Sequence, residues 1–357
     1  GRMGRDEFVV VQTHEKHQVQ TIALTQQIIR TLAAPFVIEG ESVSISASVG
    51  ISIAPDDGFQ VDTLLRNAGI ALCKAKSSGP GSYLFYQPEH ETQLRARHQI
   101  ESDLRTALRN GQFELHYQPI VNVGTGSVSC FEALIRWRHP QRGLVSPEEF
   151  IPVAEDTGLI VEIGDWALRR ACQDAAGWPK PVKVAVNLSA VQFEKSSVEM
   201  LTRAALADSK LPAHQLELEV TEGILLRNES KTQGVLANLR RLGVTISLDD
   251  FGTAFASLDY LRTFPFDKIK IDQTFIRDTA NRTECMAIVR AVTGLAHMLG
   301  LKAVAEGVES ELQLEEVRDA GCDEAQGYYF SRPVPAAGVA EVISQLKRSK
   351  PRGQAAA

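Results

Sequence analysis

The run TISLDD, Thr245–Asp250, is an apolar alternation that closes on two adjacent aspartates, and the fold turns on how it is read. Other short runs in the second half of the chain close in the same way. VKVAVN (Val182–Asn187) ends on Asn187 and LELE (Leu216–Glu219) on Glu219, while KIKID (Lys268–Asp272) presents Lys270 and Asp272. KAVAE (Lys302–Glu306) ends on Glu306, and DEAQG (Asp323–Gly327) carries Gln326. Helical periodicity separates most of them. Buried strands that each end on a polar group bring those groups together only as parallel neighbours, and in a (β/α)8 barrel that rim is where active sites sit. Helices expected to stop at Gly243, Gly300 and Gly321 lead within a few residues into the next strand, the repetition that βα units require.

Upstream, FELHYQPIV (Phe113–Val121) and SVSCFEALIRW (Ser127–Trp137) flank the turn signal NVGTGS. They read as a hairpin, so the first barrel strand should run antiparallel to its neighbour. Ser146-Pro147-Glu148-Glu149 reads as a helix start, with Ser146 as N-cap and Glu149 closing a capping box. Residues 1–87 form a separate block. DEFVVVQ (Asp6–Gln12) reads as a strand, His17–Leu32 as a helix, Val43–Ile53 as an alternating strand, Asp62–Ser77 as a helix stopped by SSGPGS, and Tyr83–Tyr86 as a short strand. A βαβαβ block lacking a leading strand is expected to be an incomplete domain. Residues 88–111 read as a connecting helix with Ile100, Leu104, Ala107 and Leu108 on one face and Gly111 as its stop. Packing as a first helix beneath the barrel is the other reading. The barrel is expected over 112–346 and a polar, alanine-rich tail over 347–357.

The chain has 357 residues, 44% hydrophobic and 23% charged, which places it among soluble globular proteins. A formal net charge of -6 argues against a nucleic-acid polymer as partner, which needs a basic footprint, but leaves room for a small phosphorylated ligand. No apolar run approaches the roughly 20 residues of a membrane span, and nothing at the start resembles a signal peptide. No membrane contact is expected from this segment, and a cytoplasmic location is. Cys73, Cys130, Cys172, Cys285 and Cys322 are widely spaced, form no CxxC and read as reduced thiols. HEKH at His14–His17 falls short of zincin spacing and reads as a solvated helix start.

Glu132, Asn187, Glu219, Asp249 and Asp250 offer hard oxygen ligands from strand ends with no thiol or histidine among them, a set that selects Mg²⁺ or Mn²⁺ over zinc. Adjacent aspartates let one carboxylate bridge two ions while its neighbour binds the second. Ions about 3.5–4 Å apart would clamp an attacking hydroxide and a phosphodiester oxygen. Arg136, on the same strand as Glu132, is placed to hold a second phosphate bidentately, and Lys270 to orient water or stabilise the leaving charge. A single strand-end acid is more often a helix cap or a loop ion pair. The set taken together is not.

These residues carry a resemblance. FEALIRWRHP, NLS at Asn187, EVTE at Glu219–Glu222, DDFGT at Asp249, KID at Lys270, AEGVE at Glu306 and QGY at Gln326 resemble, in order, the motifs of EAL domains, the cyclic di-GMP phosphodiesterases. The resemblance covers residues 95–345 and implies an α/β fold, a modified TIM (β/α)8 barrel with an antiparallel first strand. It implies hydrolysis of cyclic di-GMP to the linear dinucleotide 5'-pGpG with two Mg²⁺ or Mn²⁺ ions. By carry-over, Glu132, Asn187, Glu219, Asp249 and Asp250 would hold the metals, and Glu132, Lys270 and Glu306 would be catalytic. Gln118, Leu134, Arg136 and Gln326 would contact substrate, and Glu222 and Thr253 would anchor the loop after the aspartates. Where the family usually reads DDFGTGYSSL this chain has DDFGTAFASL, a change at Ala254, Phe255 and Ala256 that implies reduced or differently regulated activity. The alternative function is a silent cyclic di-GMP receptor, but silent members typically lose the EAL glutamate or several ligands.

The first block resembles the second half of a GGDEF domain, the diguanylate cyclase fold, as a partial α/β (ferredoxin-like) unit. GRDEF (Gly4–Phe8) stands where GGDEF would, and SASVGISIAP and ALCKAKSSG match later stretches. Arg5 replaces a glycine where the nucleotide should approach, so this part is expected to be regulatory or inert. The resemblance also implies a homodimer through the barrel and an upstream sensor domain.

Overall fold

The structure, a computed structural model, describes residues 1–4, 6–13, 17–38, 40–77, 79–227, 229–252, 258–277 and 282–348. Arg5, His14–Lys16, Thr253 with the Ala254–Ala256 variation, and the tail from residue 349 lie outside the described residues. The chain forms two compact units, Gly1–Ile100 and Glu101–Ala357, and the helix Pro88–Ala107 runs across that division.

In the second unit eight strands close a barrel: β1 (Phe113–Asn122), β2 (Val128–His139), β3 (Lys183–Leu188), β4 (Leu216–Thr221), β5 (Thr245–Phe251), β6 (Lys268–Ile271), β7 (Lys302–Ala305) and β8 (Glu324–Gln326). From β2 through β8 every neighbour pair is parallel. The first strand is antiparallel to both its neighbours, pairing Gln118 with Glu132 on β2 and Ile120 with Gln326 on β8. This is the expected hairpin, closed by Gly126 N–H donating to the Asn122 carbonyl at 2.8 Å.

Because successive residues of a strand face opposite sides, one apolar set packs outward and one mixed set packs inward. Leu216, Leu218, Val220, Ile246, Leu248 and Ile269 are buried in the layer shared with Leu168, Leu236 and Leu239 of the surrounding helices. Each such side chain contributes about 1.5–3 kcal/mol on burial. Inside the barrel, Ile120, Cys130, Ala185 and Val304 form a small apolar cluster. The remaining inward positions are largely polar. The helix stops are as expected: Gly243, Gly300 and Gly321 have φ of 93°, 74° and 86°, a left-handed conformation that glycine adopts without penalty.

Three local expectations need correction. Ser146 does precede the helix Pro147–Thr157, but its side chain caps nothing. The Glu149 carboxylate that should have closed the box is instead taken by Arg142, at 2.6 Å. In the first unit, the expected strand Asp6–Gln12 is only an isolated bridge between Arg2 and Phe8. Its Val10 and Val11 are 63% and 83% exposed, so the apolar run finds no sheet to join among the described residues. The expected strand Val43–Ile53 is split into Glu41–Val43, paired with Phe36–Ile38, and Val49–Ile51, paired in parallel with Tyr83–Phe85. The helices His17–Ala33 and Val61–Ser77 form where the periodicity placed them.

Candidate active site

The inward carboxylates at the strand C-termini converge on one ammonium. Lys270 Nζ lies 2.7 Å from Glu306 Oε1, 3.0 Å from Glu219 Oε2, 3.0 Å from Asp249 Oδ1 and 3.8 Å from Glu132 Oε2. Its side chain is 1% exposed. Burial works against its charge, but the surrounding carboxylates, Asp249 first, outweigh that and hold its pKa well above the ordinary lysine value.

Amides fix the orientation of Glu132. Asn187 Nδ2 donates to its Oε1 at 2.7 Å and Gln326 Nε2 to its Oε2 at 2.6 Å. Gln326 Nε2 also reaches Gln118 Oε1 at 3.1 Å, so β8, β1 and β2 are tied together at the rim. Burial would raise the pKa of Glu132, yet Lys270 and the two amides outweigh it and hold the carboxylate ionised.

The two aspartates would point to opposite faces in a regular strand. Here β5 shifts register against β6 between Leu248 and Phe251, and Asp250 takes φ = 55°, so both carboxylates reach the cleft. A non-glycine residue in that conformation costs about 1–2 kcal/mol, though aspartate tolerates it better than most, and such strain concentrates at functional sites. Burial, and then the neighbouring Asp249, pushes Asp250 up to about 6. Burial pushes Glu306 up to about 8 and Glu219 well above its ordinary value. Glu219 Oε1 is buried with no hydrogen-bond partner among the described residues.

Two overlapping trios, Glu132–Glu219–Asp249 and Asp249–Asp250–Glu306, bring their ligand atoms within 4.8 Å of one another, with Asp249 shared. These clustered acids could bind metal. The cleft above them encloses about 230 Å³. Gln118, Leu134, Asn187 and Gln326 line it with Glu132, Asp249, Asp250 and Glu306, while Glu219 lies beneath. Arg136 does not line it. Half-buried on β2, Arg136 donates to the carbonyl of Ile135 at 2.9 Å. Glu222 accepts from Gly252 N–H at 3.1 Å, holding the last described residue before position 253. Burial raises the pKa of Glu222.

Strand-end reasoning missed Gln273, Arg277, Gly307, Gly327 and Tyr328, which also line the cleft. The glycines and Tyr328 sit inside the quoted AEGVE and QGY stretches, so a signal was present. A Cβ at Gly327 would lie 1.9 Å from the Val308 carbonyl oxygen, a close approach that only glycine allows. Gln273 and Arg277 lie on the helix Gln273–Arg277 after β6, where no strand-end pattern points.

Residues 101–333 match the EAL domain family and residues 1–82 the diguanylate cyclase, GGDEF domain family. The chain is 42% identical over 351 residues to cyclic di-GMP phosphodiesterase NbdA of Pseudomonas aeruginosa, covering 96% of this chain and 44% of that protein. A solved structure described as PaMucR phosphodiesterase in complex with c-di-GMP is 44% identical, with a TM-score of 0.65, covering 68% of this chain and 99% of that one. The EAL enzyme Bd1971, solved with cAMP and cyclic di-GMP bound, superposes with a TM-score of 0.67 at 29% identity, over 81% of this chain and 77% of that one. The chain spans less than half the length of curated relatives such as NbdA. No helix among the described residues is long and apolar enough to cross a membrane. With the ordered motifs, the closed barrel with its antiparallel first strand and these matches in agreement, the chain belongs to the EAL domain family.

Proposed function

We propose that this chain is a metal-dependent cyclic di-GMP phosphodiesterase that opens the ring to linear 5'-pGpG. One observation carries the reading: Glu132, Glu219, Asp249, Asp250 and Glu306 face a single Lys270. Five carboxylates against one ammonium leave a formal deficit of four charges, which two divalent cations would supply. The donor set fits those ions. It is all oxygen, Glu219 Oε1 is buried without a hydrogen-bond partner among the described residues, and Asn187 spends its amide N–H on Glu132, which turns its side-chain oxygen to ligation. Hard oxygen donors of this kind suit Mg²⁺ or Mn²⁺.

Glu132, Asn187, Glu219, Asp249 and Asp250 would hold the ions. When bound, they supply positive charge against the phosphodiester and make water a nucleophile at neutral pH. The chain's own residues do the rest. Lys270 keeps the acids convergent and holds Glu306 at 2.7 Å on the wall of the cleft, where its carboxylate would take a proton from the attacking water. Gln326 holds Glu132 and is itself braced by Gln118, both reach the cleft, and Leu134 supplies an apolar wall. Arg136 would meet the substrate from the half-buried end of β2, and Glu222 with Thr253 would anchor the loop. The GGDEF part we read as regulatory or inert, the location as cytoplasmic, and the enzyme as a homodimer through the barrel under an upstream sensor.

Nucleotide chromatography after incubation with cyclic di-GMP tests this directly. Linear dinucleotide is expected with Mg²⁺ or Mn²⁺ and none in excess chelator. Undiminished turnover in chelator would rule out the metal reading, and binding without product would support the receptor alternative.

A further inference from the structure

Among the described residues that line the cleft, Lys270 and Arg277 are the cationic ones. Lys270 is committed to carboxylates on every side, so it has nothing left for a ligand. Arg277 is different. It sits at the mouth, 41% exposed, with its Nη2 2.5 Å from Glu309 Oε1 on the segment after β7. Its guanidinium lies across Gly307: a methyl built there would come within 3.3 Å of Arg277 Nε and 2.6 Å of Gln273 Cβ. The missing side chain and the φ of 74° at Gly307 leave the groove in which Arg277 rests.

A cyclic dinucleotide carries two phosphates, and ions held by the clustered acids would neutralise one. The other needs a cation on the cleft wall, and Arg136, which the sequence offers for it, does not line the cleft whereas Arg277 does. We propose that the Arg277–Glu309 pair is a substrate-competing latch, in which Arg277 leaves Glu309 to hold the phosphate that is not cut. This rests on the reading of the site as a cyclic di-GMP cleft. Both partners are partly exposed, so the ion pair is weak in itself and exchange between two anions is cheap. Arginine matches carboxylate and phosphate with the same bidentate fork, which makes it suited to such an exchange.

A latch gives its two residues opposite signs. Arg277→Gln should raise the KM for cyclic di-GMP about tenfold, which corresponds to about 1.4 kcal/mol, with a smaller change in kcat. Glu309→Gln should lower KM a few-fold by removing the competitor. The double variant should resemble Arg277→Gln alone, since without the arginine the glutamate has nothing to withhold. Asp208→Asn, which removes one negative charge from an outer helix pair with Arg169 at 2.7 Å, should leave KM unchanged and controls for net charge. Equilibrium titration of cyclic di-GMP in chelator should show the same order of affinities without any turnover. An Arg277→Gln KM within twofold of the parent's, or a Glu309→Gln KM that rises, would overturn the latch. If the parent binds but does not hydrolyse cyclic di-GMP, the phosphodiesterase reading fails while the titration still decides the latch. If it neither binds nor hydrolyses, both fail.

Discussion

Lys268 and Lys270 lie two residues apart on β6, point into the same barrel and are both almost completely buried, yet they have opposite surroundings. Lys268 Nζ is 2.9 Å from Glu217 and 2.7 Å from Glu324, and Lys302 reaches Glu324 from the outside at 3.7 Å. Two lysines meet two glutamates, and the lower layer is neutral within itself. Burial works against the charge of Lys268, but Glu217 and Glu324 outweigh it and hold its pKa up. The upper layer gives Lys270 a surplus of carboxylates. A balanced buried cluster has no call on a further ion. An unbalanced one is unstable unless something positive joins it or protons neutralise it. The contrast separates structural from functional charge inside one scaffold.

The largest expected effect breaks that contrast from above. Glu132→Ala should lower hydrolysis about 1000-fold, the scale seen when one electrostatic element is removed from a reacting centre. Cyclic di-GMP binding should survive, and folding should be little changed. Glu217→Ala, the equivalent deletion in the lower layer, should do the reverse. Breaking a buried pair from one side costs about 3–5 kcal/mol, and the molecules that remain folded should turn over near the parent rate. Thermal melts and kcat on the same samples compare the two. If Glu217→Ala lost activity without losing stability, the division into layers would be wrong.

Protons give the next effect. In the absence of metal, Asp250 and Glu306 have folded-state pKa values of about 6 and about 8 against ordinary values of 3.8 and 4.5. The folded form therefore holds protons that the unfolded chain has released. Stability from these groups is fully present below about pH 4 and is lost as pH rises through 6 and then 8. The protein in chelator should melt at a lower temperature at pH 8 than at pH 6. Saturating Mg²⁺ or Mn²⁺ should restore most of the difference, because an ion replaces the lost protons. A melting temperature indifferent to metal at pH 8 would mean that the surplus charge is relieved in some other way.

How far the site could be read from the chain follows from the same geometry. Strand ends are visible because an apolar run must stop somewhere, so Asn187, Glu219, Asp249 and Glu306 stand out in sequence and converge in space. The hairpin turn Asn122–Ser127 made the antiparallel first strand legible too. The lower layer was missed although LELE and KIKID contain it. Period two puts Glu217 beneath Glu219 and Lys268 beneath Lys270, but attention to the polar residue that closes each run passes over the one two positions earlier. Arg277 was missed because it projects from a helix, where position along a strand says nothing. In the first unit the apolar run Phe8–Val11 misled, since alternation shows what a strand would bury only if a partner strand is there to pair with it. For Ser146, the capping box failed through competition: Arg142 offered Glu149 a charged partner in place of a backbone N–H.

The smallest effect sits on the boundary between the layers. Ser247 on β5 is in register with Glu219 on β4 and with Lys268 on β6, so its row joins the upper cluster to the lower one. Its hydroxyl is fully buried and has no hydrogen-bond partner among the described residues. An unsatisfied buried hydroxyl costs about 1–3 kcal/mol relative to a satisfied one, whereas deleting one oxygen leaves only a small void. Ser247→Ala should therefore change stability by less than about 0.5 kcal/mol or raise it slightly, with kcat and metal affinity unmoved. The result bears on how the two layers are insulated. If the alanine variant lost more than about 1 kcal/mol, the hydroxyl would have to be bridging Glu219 and Lys268, through water or directly. The layers would then be one charge network. A simultaneous shift in the metal concentration for half-maximal activity would show the lower cluster tuning the upper, and the separation of structural from functional charge would have to be abandoned.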